Sequence, residues 1–147
     1  MSHLIITSPV FQFNQRIPTK YTGEGEDVNP PLSIDGVPNG TKSLALILED
    51  PDAPSGTFDH WVVWNISPSQ NKIAENTVPG IQGLNSCDQL GYTGPYPPPG
   101  KPHRYIFRVF ALDAELCLED SSTKKDLERA MKGHVLAEGK LIGLFSR

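Results

Sequence analysis

The chain has only two cysteines, Cys87 and Cys117. They are too few for a disulfide scaffold and are not spaced as metal ligands, so a reducing cytoplasm is the expected compartment and a single bridge between them stays open. Positive charge is also short. Thirteen Lys and Arg stand against seventeen Asp and Glu, giving a net charge of -4. Phosphate backbones are bound through accumulated basic side chains, so nucleic acid is not expected as a partner. The one basic cluster, Lys124, Lys125, Arg129 and Lys132, is interleaved with Asp126 and Glu128 and reads as a solvated helix face. Long apolar runs are missing too. The longest, Leu44 to Leu48, cannot span a membrane, and no basic residue precedes Arg16 to open a secretory signal. There is no internal repeat and no low-complexity linker, which leaves residues 1–147 as one domain.

Turn formers are abundant. Fourteen prolines and thirteen glycines would break a helical bundle, whereas an all-β fold uses them at strand ends. Apolar, β-branched or aromatic runs predict strands at Leu4–Thr7, Leu32–Ile34, Ser43–Glu49, His60–Ile66, Tyr105–Leu112 and Leu141–Phe145. The apolar middle of Ser43–Glu49 suits a strand buried on both faces. One or two short helices are expected near the C-terminus. Ser121 to Thr123 offer N-caps, Leu127, Ala130 and Met131 form an apolar stripe, and Gly133 stands where a helix would stop. The fold class is therefore mainly β, a Greek-key antiparallel β-sandwich with a helical element late in the chain.

Two proline-stiffened loops carry the chemistry. Asp50-Pro51-Asp52-Ala53-Pro54 leads to His60-Trp61, and Gly94-Pro95-Tyr96-Pro97-Pro98-Pro99-Gly100 leads to His103-Arg104-Tyr105. If the flanking strands form a hairpin, Asp50 and His60 lie at one rim. Alternation places His60 with Val62, Trp64 and Ile66, and His103 with Tyr105, Phe107 and Val109, while Arg104 points away. The prolines lower the entropy of the loops before anything binds. Pro97 to Pro99 suit polyproline II with turns at Gly94 and Gly100, and Asp50-Pro51 is a candidate cis bond.

These two motifs, with Tyr21-Thr22-Gly23-Glu24-Gly25-Glu26-Asp27 and Pro30-Pro31-Leu32 before them, resemble the phosphatidylethanolamine-binding protein family, which includes the Raf kinase inhibitor proteins. The likeness runs from about residue 5 to 145 and is closest to the compact bacterial and archaeal branch. It implies a pocket for phosphate-like groups built from Asp50, Asp52, His60, Gly94, Pro95, His103 and Tyr105. It also implies a kinase or other protein as partner and a homodimer as the assembly to test. Ile34 stands where many relatives have Trp. The chain ends soon after Phe145 without the helical extension of animal members, so their kinase-binding surface is not carried over as an expectation.

The expected activity is non-catalytic binding of a small anion or phospholipid head group, with no cofactor. Such an anion would accept hydrogen bonds from His60, His103 and the backbone near Gly94, with Tyr105 lining the site. Asp50 would orient a histidine or accept a proton from the ligand. Two or three charge-assisted bonds at roughly 1.5–3 kcal/mol each, less immobilisation costs, leave about -4 to -7 kcal/mol, a millimolar to ten-micromolar ligand. Three readings compete. A metal could use both histidines and a carboxylate. A hydrolase could use Ser55, His60 and Asp50, although no Gly-x-Ser-x-Gly elbow is present. An inhibitor could act through the loop around Tyr96.

Overall fold

The computed structural model describes residues 2–147. Its strands are β1 (Ser2–His3), β2 (Ile5–Thr7), β3 (Gln15–Arg16), β4 (Leu32–Asp35), β5 (Ser43–Asp50), β6 (Phe58–Ile66), β7 (Lys72–Ile73), β8 (Ile81–Gln82), β9 (His103–Leu112) and β10 (Val135–Phe145), with one α-helix, α1 (Lys124–Met131). The larger sheet runs β1-β10-β9-β5-β6-β8, with β3 beside β10, and the smaller one runs β2-β4-β7. Pairing is antiparallel except where β1 and β3 join β10. After the β5–β6 hairpin the chain returns by a long connection to lay β9 on the other side of β5. This return is the Greek-key element of the fold.

The core has two layers, one on each face of the large sheet. Leu44, Leu46, Leu48, Trp61, Val63, Tyr105, Phe107 and Val109 face the small sheet, where Ile6, Leu32, Ile34 and Ile73 close over them. Ala45, Ile47, Val62, Trp64, Phe110 and Leu112 face α1, which buries Leu127 and Met131 against them. β5 is thus apolar on both sides, which is why its sequence does not alternate. The helix starts at a capping box. The Thr123 side chain accepts from the Asp126 amide and Asp126 accepts from the Thr123 amide. It ends at Gly133, whose φ of 85° suits glycine. Lys124 ties it to the sheet through Asp59 at 2.8 Å.

Three expectations change. The Asp50-Pro51 bond is trans, as are all described peptide bonds. Strand β10 starts at Val135, well before Leu141, because its first half pairs with β9 in spite of exposed Glu138 and Lys140. In β6 the alternation is broken twice by bulges, where the register against β5 slips by one residue on β6. The first places His60 and Trp61 on the same side, so His60 does not share a face with Val62 and Trp64. The second lies at Asn65, whose φ is 54° and whose amide binds the Leu116 backbone. It moves Ile66 to the layer of Val63. No helix among the described residues is long and apolar enough to cross a membrane. Both cysteines are free and exposed.

Candidate functional site

The bulge at His60 is what builds the site. It turns the imidazole toward the β9 face that carries His103 and Tyr105, so the His60 ring centroid lies 5.3 Å from that of Tyr105, edge-on. His103 stacks on the same tyrosine at 6.5 Å. The two proline loops thereby wall one cavity of about 290 Å³, lined by Asp50, His60, Gly94, His103 and Tyr105 together with Phe58, Cys87, Thr93, Tyr96 and the loop prolines. Its lining combines the polar groups of Asp50, His60 and His103 with the apolar surfaces of Phe58, Tyr96 and the loop prolines.

The hydrogen bonds fix which atoms remain available. Asp50 is 3% exposed. One carboxylate oxygen accepts from His103 Nδ1 at 2.7 Å and the other from the Asp52 amide at 2.8 Å. His60 Nδ1 lies 2.7 Å from the Thr93 carbonyl oxygen, which can only accept, so the ring carries its hydrogen on Nδ1. Burial lowers the His60 pKa against the pull of Asp50, Asp59 and Asp27, which favours the neutral ring and leaves a lone pair on Nε2. His60 is therefore placed as an acceptor toward the cavity, not as the donor expected from sequence. Burial, and then the charge of Asp50, push the Tyr105 phenol above its ordinary range.

Two residues expected in the pocket, Asp52 and Pro95, lie outside its lining. Asp52 follows the end of β5 and turns outward to Arg104, accepting from its backbone amide, Nε and Nη2 at 2.9, 3.0 and 2.8 Å. Asp50–His103 inside and Asp52–Arg104 outside thus rivet the first loop to the start of β9. The Pro95 carbonyl accepts from the Gly23 amide at 2.8 Å, which pins the second loop from behind. The Gly94 amide is spent on Asp27 Oδ1 at 2.7 Å and the Thr93 amide on the His60 carbonyl at 3.0 Å, so neither offers a hydrogen to a ligand. Arg147 Nε reaches the Pro97 carbonyl at 2.6 Å, and its guanidinium lies 3.9 Å from the Tyr96 ring centroid.

The hydrolytic relay is not assembled. Asp50 binds His103 rather than His60, and Ser55 is exposed and off the lining. Among the described residues no group of three or more His, Cys, Asp or Glu is disposed to hold a metal ion. Another hollow of about 370 Å³ between β1, β9 and β10 contains Arg108, but that guanidinium is committed to Glu49 and Glu128. Sequence reasoning missed Phe58 and Cys87. Cys87 reaches the rim because Ser86 exchanges two 2.8 Å hydrogen bonds with the Asp59 backbone, a tertiary pairing with no sequence signature.

The hydrogen bonds from Arg104 hold the Asp52 carboxyl down at about 2. A depressed carboxylate stabilises the fold above its unfolded value of 3.8, and the contribution is lost as pH falls toward 2. Asp52→Asn is therefore expected to lower the thermal midpoint at pH 6, with the gap to the parent protein closing by pH 2. A gap that is constant with pH would show that the ion pair does not brace the loop.

A two-sheet β fold whose proline loops wall a His/Asp cavity defines a class of proteins. The sequence model of the phosphatidylethanolamine-binding protein family matches residues 7–146, and the chain belongs to that family. It is 52% identical over 145 residues to a UPF0098 protein of Methanothermobacter thermautotrophicus, covering 93% of this chain and 95% of that one. A UPF0098 protein of Chlamydia muridarum is 42% identical over 148 residues, covering 97% of this chain and 98% of that one. The crystal structure of a phosphatidylethanolamine-binding protein homologue from Chlamydia trachomatis superposes with a TM-score of 0.95 at 40% identity, covering 100% of this chain and 99% of that one. YbcL of Escherichia coli superposes at 0.91 with 30% identity, covering 99% of each chain.

Proposed function

We propose that the cavity binds a phosphate-like oxyanion reversibly and performs no chemistry on it. The observation that carries this reading is the Asp50–His103 pair opening on a small preformed cavity. The buried Asp50 carboxylate holds His103 through Nδ1, which leaves Nε2 as the ring atom free for a ligand; a charged ring there would donate to an oxyanion. A volume of about 290 Å³ suits a head group or a free phosphate and leaves no room for acyl chains. The apolar lining surfaces and the half-exposed Tyr96 give an occupied pocket a surface through which a protein partner, a kinase among the candidates, would sense it. Free thiols suit the reducing cytoplasm, where we place the protein.

Calorimetric titration with inorganic phosphate should give a dissociation constant between about 10 μM and 1 mM at pH 6. No heat of binding at millimolar phosphate would refute the reading. One observation favours a second reading. A buried aspartate that orients a histidine is also the arrangement of a general base. Turnover of nitrophenyl esters or phosphates that disappears in Asp50→Asn would select it.

A further inference from the structure

We propose that Lys124, on the opposite face of the large sheet from the cavity, is the positioning residue that keeps His60 in it. The inference concerns how the site is built and does not depend on what the cavity binds. Two pairings are open to the end of the β5–β6 hairpin. In the one observed, Leu48 pairs with Trp61 and Glu49 with Asp59, which leaves His60 as the extra residue of the bulge. Without the bulge, Glu49 would pair with His60 and Asp50 with Asp59. A slip of one residue exchanges faces, so His60 would turn to the α1 side and Asp59 to the cavity side.

Charge separates the two pairings. In the observed one, Glu49 and Asp59 stand directly opposite each other, which is unfavourable for two carboxylates. Lys124, the first residue of α1, lies between them, with Nζ 2.8 Å from Asp59 Oδ1 and 3.4 Å from Glu49 Oε1. Glu49 has a second cation, since Arg108 Nη1 lies 3.1 Å from the same oxygen. Asp59 Oδ1 is shut off from water, and among the described residues no hydrogen-bond donor is aligned with it. The charge of Lys124 is what compensates it. The two side chains are 16% and 21% exposed, too enclosed for solvent to take over that role. In the unbulged pairing Asp59 would leave Lys124 and stand opposite the buried Asp50, another carboxylate. Attraction on one face and repulsion on the other both select the bulge.

Backbone contacts then hold it. Asp59 and Ser86 exchange two 2.8 Å hydrogen bonds, and the His60 carbonyl accepts from the Thr93 amide at 3.0 Å. None of these involves Lys124. Its removal is therefore expected to raise the population of a local opening at the bulge rather than to unfold the chain.

The test reads two signals in the whole chain without ligand. Hydrogen exchange of the Thr93 amide reports opening at the bulge, and nitrogen NMR of the imidazole reports whether His60 keeps its hydrogen on Nδ1, against the Thr93 carbonyl. Lys124→Met should speed Thr93 exchange by about tenfold or more and mix the two His60 tautomers. Lys124→Arg should keep both signals at parent values. Adding Asp59→Asn to Lys124→Met removes the stranded carboxylate and should recover most of the loss. Unchanged Thr93 and His60 signals in folded Lys124→Met would overturn the proposal, and so would an equal loss in Lys124→Arg. Equal acceleration at the Leu127 amide, which donates to Thr123 inside α1, would overturn it too, because the whole helix would then have loosened. Where Lys124→Met does not fold, Asp59→Asn alone decides, since it breaks the pair without stranding a charge. Faster Thr93 exchange there would support the proposal, and parent values would overturn it.

Discussion

Replacing His103 with alanine is expected to weaken binding of inorganic phosphate by about ten- to a hundredfold at pH 6. His103 Nε2 is the ring atom left free to donate to an anion, and a charge-assisted hydrogen bond is worth roughly 1.5–3 kcal/mol. The substitution also leaves the Asp50 carboxylate, 3% exposed, facing the ligand without its imidazole partner. Both effects oppose an anion. His103→Gln separates them, since an amide restores a donor without a positive charge and should recover part of the loss. Denaturant unfolding of each variant reports whether the fold survives. Unchanged phosphate affinity in folded His103→Ala would remove the histidine from the site.

How much of this was legible in the sequence depends on where the strand period held. In β9 it held throughout. Tyr105, Phe107 and Val109 fell on one face and Arg104 and Arg108 on the other, so the opposite directions of His103 and Arg104 followed from alternation. In β6 the same reasoning placed His60 with Val62. A bulge depends on pairing with β5, and no local pattern near residue 60 announces it. The decisive contact of the site, His60 beside Tyr105, exists because the period failed.

The acidic motif shows a different limit. Asp50 and Asp52 look equivalent in sequence, and the family resemblance assigned both to the pocket. Asp50 is the last residue of β5 and inherits the inward direction of the strand, whereas Asp52 lies in the turn, where strand parity no longer applies. One became the inner partner of a histidine and the other the outer partner of an arginine. The spacing of the motif announced a rigid loop. It did not say which carboxylate faced the ligand.

Gly94→Ala is expected to cost stability and binding together, because the second loop has no room to accommodate a side chain. A Cβ at this position would lie 2.5 Å from Asp27 Oδ1 and 2.6 Å from the Tyr21 carbonyl oxygen. Gly94 is thus a point of close approach rather than the turn expected from sequence, and its amide bonds Asp27 at 2.7 Å in the same contact. Asp27 cannot easily yield, since it is held in a left-handed conformation with φ of 59° and its own amide bonds the Lys20 carbonyl. The Tyr21 carbonyl is held as well, by the buried Tyr92 hydroxyl at 2.6 Å. The loop must move instead, carrying Tyr96, Pro97 and Pro98 off the cavity. Overpacking of this kind costs about 1–3 kcal/mol, read from the denaturant midpoint. Displacing a preformed wall should weaken phosphate binding about tenfold or more. Gly100→Ala supplies the contrast, because Gly100 has a φ of 138° with open space around it and lies off the lining. It should strain the backbone and leave phosphate affinity near that of the parent. Equal affinities in both variants would mean that the rigid loop is a scaffold feature and that the two histidines hold the anion without its wall.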